Sequence, residues 1–263
     1  MKIAVLGLGE AGSLIAADLV KAGQALSGYD PADVATPAGV ARHDRPTAAV
    51  RDADVVISLT AARDARTAIE QTLADIPPTA LYADFSTSSA GLKRDLSTIA
   101  AERNLPFVDV ALVSIVPGNG LRTPALASGT GAAQFIAMFR PLGMPVELVS
   151  EIAGDAATRK LLRSVVMKGL AGTVIEALRG AQQAGCGDWV WNNLTAEITK
   201  ANASFLARLV RGTQLHAARR LEEMEAAAAL LSELGVEPLL TRGTIENLRG
   251  VPREGIPTIP DCW

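Results

Sequence analysis

The sequence predicts an α/β chain: a doubly wound, mostly parallel sheet over residues 1–152, then an all-helical part over residues 153–263. Three observations carry this. Short apolar runs alternate with helical stretches through the first part, the pattern of β-α-β units. The β-rich runs stop near residue 152. A glycine turn, Gly7-Leu8-Gly9-Glu10-Ala11-Gly12, joins the first apolar run to the first helical one.

Ile3-Ala4-Val5-Leu6 reads as a strand buried on both faces. A helix follows from about Ala11 to Ala22, with Ala11, Leu14, Ile15, Leu19 and Ala22 on one stripe, Asp18 as the misfit and Gly23 as the stop. Further strands are predicted at 25–29, 55–59, 80–85, 107–111, 125–129 and 146–149, and helices at 63–74 and 89–103. In the second part, helices are predicted over 157–184, 193–209 and 213–234, with a short one near 244–248. The tail from Pro252 reads as an extended strap.

The composition narrows the function. With 263 residues, 49% hydrophobic and 20% charged, the chain has enough core for one large or two modest domains and is not a disordered segment. A net charge of −3 argues against a generally basic nucleic-acid surface. Cys186 and Cys262 make no disulfide framework, and with only two histidines no metal-ligand spacing occurs, so no metal site is expected. Sparse cysteine suits a reducing cytoplasm. No apolar run reaches the roughly 18 residues of a membrane helix, and the opening residues read as a strand rather than a secretory leader.

The glycine turn fits G-x-G-x-x-G between a strand and a helix, the context in which that pattern binds a dinucleotide. Gly7 permits the tight turn, Gly9 lets backbone approach a pyrophosphate, and Gly12 lets the helix pack on the strand; Glu10 and Ala11 open the helix whose amides face the phosphates. The first part is therefore expected to be a Rossmann-type domain. Asp30 ends the second strand, where a carboxylate accepts from a ribose diol and repels a 2′-phosphate. Pro31 follows, so NAD is expected over NADP, with NADP left open.

Four blocks in order make the chain resemble the β-hydroxyacid dehydrogenase family, which includes 3-hydroxyisobutyrate and 6-phosphogluconate dehydrogenases. They are the glycine turn; Asp84-Phe85-Ser86-Thr87-Ser88-Ser89, similar to the family's D-x-S-T segment; Asp109-Val110-Ala111-Leu112-Val113-Ser114, similar to D-A-P-V-S; and Gly154 to Ser164, similar to the run-up to the interdomain helix with its catalytic lysine. The remainder, notably His216 to Met224, looks like a less-characterised subgroup with its own C-terminal domain. Departures are clear. Ser164 stands where the family has Asn, and Gly154 alone represents a glycine-rich stretch. Glu222-Glu223 replaces a Lys-Asp pair, and Ile115-Val116 replaces Gly-Gly.

The resemblance implies a nicotinamide-dependent dehydrogenase or reductase acting on a small 3-hydroxy acid and its carbonyl partner. Lys160 would move the hydroxyl proton, with Lys168 as its rival one helix face round. Ser114, Ser164, Lys168 and His216 are expected on the substrate side; Leu59, Thr60, Ser86 and Thr87 are expected near the cofactor. Trp189 and Trp191 read as core or dimer-seam residues, and the apolar faces of the helical part predict a homodimer. Oxidation coupled to decarboxylation has no support in these residues. Two other readings stay open: an imine reductase of the same fold, against which Lys160 counts, and a non-catalytic NAD(P)-binding redox sensor.

Overall fold

A computed structural model describes residues 1–259, so Cys262 lies outside the described residues. The chain divides into two compact units, Met1–Arg163 and Ser164 onward. The first holds an eight-stranded sheet: β1 (Lys2–Leu6), β2 (Ala25–Tyr29), β3 (Val40–Arg42), β4 (Val55–Ser58), β5 (Leu81–Asp84), β6 (Phe107–Leu112), β7 (Ala125–Ser128) and β8 (Val146–Ser150). The strand order is β3-β2-β1-β4-β5-β6-β7-β8. Every pairing is parallel except β6 with β7. No helix bridges β6 and β7, only a loop with a 3-10 turn at Gly120–Arg122, so the chain returns antiparallel.

Helices cover both faces, which is why the central strands are apolar without alternation. On one face α1 (Glu10–Lys21) and α5 (Ala132–Phe139) pack Ile15, Leu19, Phe135 and Phe139 against Val5, Ile57 and Ala83. On the other, α2 (Pro46–Val50), α3 (Ala65–Thr72) and α4 (Ala90–Ala101) pack Val50, Ile69, Leu96 and Ala100 against Ala4, Val56 and Tyr82. Residues of odd and even position in β1 and β4 thus feed separate cores, as the two-residue strand period dictates. The doubly wound sheet is as the sequence predicts. Periodicity did not yield β3, α2 or α5: β3 is three residues long and largely solvent-facing, and α2 is only five.

Asp18, the misfit of the α1 stripe, accepts from the Leu121 backbone N–H (3.0 Å) and from Lys21 Nζ (2.9 Å). The Lys21 and Leu121 hydrogen bonds hold its carboxyl below the usual aspartate value. It docks the 3-10 turn, whose Gly120 has φ +53° and no room for a Cβ, 1.9 Å from Asp18 Oδ2.

The remaining helices are α6 (Asp155–Gln183), α7 (Gly187–Thr199), α8 (Ala203–Leu215), α9 (Ala217–Glu233) and α10 (Leu239–Glu254). The two units divide inside α6, beyond the 152/153 boundary read from sequence. The breaks within the second unit differ from the predicted ones. The stretch 193–209 is interrupted before Asn202, which caps α8 by accepting from Phe205 N at 3.0 Å. The stretch 213–234 is interrupted at His216, the junction of α8 and α9. Pro252 lies inside α10 rather than opening an extended strap. Trp189 and Trp191 are 69% and 55% exposed, so the core reading of that pair is corrected. No helix among the described residues is long and apolar enough to cross a membrane.

The second unit contains an interaction that sequence did not foretell. Glu176 of α6 accepts from Leu240 N (2.8 Å), Thr241 N (2.9 Å) and Thr241 Oγ1 (2.7 Å), capping α10 from outside its own chain segment. Burial pushes the Glu176 carboxyl up, but the Thr241 and backbone hydrogen bonds outweigh it and hold the value below the ordinary 4.5. A depressed carboxylate contributes stability that is full above its unfolded value and fades as pH falls through the folded one. Glu176→Ala should therefore destabilise by about 1–2 kcal/mol at neutral pH. The deficit should shrink in acid; a denaturant titration showing the same deficit at pH 3 and pH 7 would contradict the cap.

Candidate active site

The site is built at the carboxyl edge of the parallel strands, where doubly wound sheets bind ligands. Gly7 leaves β1 with φ +100°, and a Cβ there would stand 2.6 Å from Leu59 O. Gly7 N donates to Tyr29 O at 2.8 Å, which ties the turn to the end of β2. A Cβ on Gly12 would meet Gly7 O at 2.0 Å, so α1 closes on the turn itself. Gly9 differs: nothing lies within 4 Å of its would-be Cβ. The turn is tight at its two ends and open at its middle. An open backbone at the mouth of α1, beside the unpaired first-turn amides of a helix, fits an approaching phosphate.

Asp30 Oδ2 accepts from Leu8 N (2.7 Å) and Oδ1 from Ala32 N (2.9 Å). It joins the glycine turn to β2, and each oxygen keeps capacity for a further donor. Beside it a cleft of about 240 Å³ is lined by Gly7, Tyr29, Pro31, Thr60 and Asp64. Leu59 packs against the core while Thr60 faces the cleft.

A second part of the edge lies at β5 and β6. Asp84 and Asp109 sit directly opposite one another in the parallel register and are both 0% exposed. Lys93 of α4, 1% exposed, places Nζ 2.7 Å from Asp84 Oδ2 and 3.1 Å from Asp109 Oδ1, and donates to Asp84 O at 2.8 Å. Asp84 Oδ2 also accepts from Ser86 Oγ at 2.7 Å, and Ser86 Oγ lies 3.2 Å from Ser88 Oγ. Asp109 Oδ2 accepts from Ser128 Oγ (3.2 Å), Gly154 N (3.1 Å) and Ala157 N (2.9 Å), while Ser128 Oγ accepts from Ala156 N (3.0 Å). The first amides of α6 are thereby satisfied by β6 and β7. Gly154 is required at that start, since its φ is +98° and a Cβ would stand 2.7 Å from Ala90 O.

One turn on, the half-buried Lys160 donates from Nζ to Thr87 Oγ1 at 2.9 Å. Lys160, Thr87, Ser86, Ser88 and Asp109 line, with Lys93, one closed crevice that has no room for a water molecule. Thr87 is exposed, whereas Ser86 is buried and its hydroxyl is engaged by Asp84. Ser114 is exposed just past β6. Ser164, Lys168 and His216 belong to the second unit; Lys168 and His216 are exposed. The Arg219–Glu223 pair, at 3.5 Å, is the ordinary surface pairing its spacing implies, while Arg220 turns back to Leu209 O and Thr213.

Sequence reading missed Lys93. Its signal was present: Lys93, Leu96 and Ala100 share the buried stripe of α4, so a lysine stands on an apolar face of a helix that packs on strands carrying two aspartates.

Residues 2–118 match the family described as the NAD binding domain of 6-phosphogluconate dehydrogenase, and residues 181–251 match a domain of unknown function. A probable 3-hydroxyisobutyrate dehydrogenase of Mycobacterium bovis is 29% identical over 201 residues, covering 74% of this chain. The match spans 59% of that relative's length. A conserved hypothetical protein of Sinorhizobium meliloti 1021 has a solved structure 26% identical, with TM-score 0.62, covering 98% of this chain and 91% of its own. An imine reductase of Myxococcus stipitatus, solved with NADP+, superposes with TM-score 0.80 at 18% identity, covering 97% of this chain and 95% of its own, a likeness of fold. The resemblance to the hydroxyacid dehydrogenases implied by the four sequence blocks thus stands, together with a distinct C-terminal domain.

The glycine geometry separates two substitutions. Gly9→Ala should fold as wild type yet weaken NADH binding about tenfold, the effect of losing roughly 1.4 kcal/mol at the phosphates. Gly12→Ala should instead lower the melting temperature, because its methyl group meets the Gly7 carbonyl. Thermal melts with nicotinamide fluorescence titrations check both; equal behaviour of the two variants would contradict the open-middle geometry.

Proposed function

We propose that the protein is a nicotinamide-dependent oxidoreductase acting on a small 3-hydroxy acid and its carbonyl partner, with Lys160 as the proton-transfer group. The observation that carries the reading is the Lys160 ammonium at the start of α6, held on Thr87 Oγ1 at the sheet's carboxyl edge. Gly7, Gly9, Glu10, Ala11 and Gly12 would hold the cofactor phosphates, Asp30 its ribose, and Leu59, Thr60, Ser86 and Thr87 the rest of the strand edge. The bound nicotinamide supplies or accepts the hydride. Thr87 orients the lysine by accepting a hydrogen bond from its ammonium. In the reducing direction Lys160 gives a proton to the carbonyl oxygen as that oxygen becomes a hydroxyl; in the oxidising direction the neutral amine takes it back. Ser114, Ser164, Lys168 and His216 are the candidates for holding the substrate. Sparse cysteine supports a reducing cytoplasm as its compartment.

The test is cofactor titration, then a panel of hydroxy acids, carbonyls and imines followed at the nicotinamide absorbance band. Turnover of imines alone would favour the imine reductase reading, and binding without turnover the redox sensor. Lys160→Ala should lower kcat on the order of 10² to 10⁴ while leaving NAD affinity nearly unchanged. Lys168→Ala should cost less and act through KM; loss of turnover in Lys168→Ala with full activity in Lys160→Ala would overturn the assignment.

NAD is proposed over NADP because Asp30, the residue after β2, sets a carboxylate beside the cofactor cleft. Asp30→Ala should weaken NAD binding and relax discrimination against NADP. Wild-type enzyme using NADP about tenfold more efficiently would contradict this.

A homodimer built on the helical part is proposed from its apolar surface. Val165 and Val166 of α6, Trp189 of α7 and Leu206 of α8 are 70%, 65%, 69% and 60% exposed. Light scattering at micromolar concentration should give twice the chain mass; a sharp monomer mass would refute it.

A further inference from the structure

The buried Lys93 has no role in the chemistry proposed above, yet among the described residues it alone touches both Asp84 and Asp109. Its ammonium donates to Asp84 O at 2.8 Å and lies within ion-pair distance of Asp84 Oδ2 (2.7 Å) and Asp109 Oδ1 (3.1 Å). Each aspartate then turns outward to one half of the crevice. Asp84 holds Ser86 by its hydroxyl (2.7 Å) and backbone N–H (3.4 Å), and so the loop that carries Thr87. Asp109 holds Gly154 N and Ala157 N, and so the turn of α6 that precedes Lys160. Lys160 and Thr87, the two ends of a 2.9 Å hydrogen bond, are thus suspended from one ammonium.

We propose that Lys93 is a positioning residue for the Lys160–Thr87 pair, fixing where the two meet by tying the aspartate beneath each. The inference rests on the reading of Lys160 as the proton-transfer group. Cohesion alone does not account for the cluster. Two like charges directly opposite on neighbouring strands repel, and an apolar side chain on the α4 stripe would hold sheet and helix at no desolvation cost. What an apolar group cannot do is aim two carboxylates in set directions.

The test is a charge-matched double substitution, Lys93→Met with Asp84→Asn, placed in the wild-type and in the Lys160→Ala background. One buried cation and one buried anion are removed together, while Asp109 keeps its α6 amides. In the wild-type background kcat should fall about 10- to 100-fold, the loss expected from sub-ångström to ångström misplacement. NADH affinity should fall by less than kcat does, since the glycine turn is untouched while the Ser86–Thr87 loop shifts. In the Lys160→Ala background the same pair should cost less than about threefold, because its effect passes through Lys160. Equal losses in both backgrounds, or no loss in either, would overturn the proposal. Should the double variant not fold, Lys93→Arg in the same two backgrounds decides by the same comparison. Lys160→Ala by itself reports on the function reading. Independently of turnover, the ¹³C resonance of reductively dimethylated Lys160 should move in the double variant toward those of the exposed Lys21 and Lys168. An unmoved resonance would overturn the positioning role even in an active enzyme.

Discussion

Two aspartates and one lysine, shut away from water where β5, β6 and α4 converge, govern the geometry of the first unit. Burying three charges carries a large desolvation cost, tolerable only when they are closely paired. Here the pairing is close, although Asp109 Oδ1 accepts no hydrogen bond and meets the ammonium only as an ion pair at 3.1 Å. The ammonium is matched by three oxygens, and the surplus negative charge faces the first amides of α6, whose helix dipole favours an anion there. Removing one member of such a cluster typically costs about 3–5 kcal/mol, because the others remain buried without it. The cluster knits α4, β5, β6, β7 and α6 into one frame, and the two residues of the candidate proton-transfer pair hang from that frame.

The other half of the edge obeys a different constraint, close backbone approach. Gly7, Gly12 and Gly154 each stand where a Cβ would lie within 2.7 Å of a carbonyl oxygen. They bring a turn against β4, a helix against that turn and a helix against α4. Gly9 is spared this crowding, which leaves backbone open where a dinucleotide phosphate would approach. Rigid glycines around one open glycine, and a rigid ion cluster beneath one half-buried lysine, follow a common pattern. The groups proposed to meet ligand are held by neighbours that do not.

The helical unit is stabilised in another way. Its α10 begins on a carboxylate supplied by α6, and its outer faces keep valine, leucine and tryptophan in solvent. A surface of that kind gains free energy when covered, which is the physical basis for placing subunit association there.

The sequence by itself determined the doubly wound sheet, because strands buried on both faces must be apolar throughout and the glycine turn has one structural use at a strand-helix junction. It also determined the α6 lysine as a candidate, through resemblance of the residues around it. Strands of three residues and helices of five fell below the reach of periodicity, as β3 and α2 show. The helical breaks at Asn202 and His216 were hidden inside continuous helix-forming stretches. Only the tertiary structure decided which polar residues work together. Asp18 and Leu121 are 103 positions apart, Asp109 and Ala157 48, and Glu176 and Thr241 65. Lys93 shows the difference most plainly. On one helix it is a lysine on the wrong face; its purpose exists only when β5 and β6 bring Asp84 and Asp109 side by side, since a buried charge is defined by partners that local sequence does not contain.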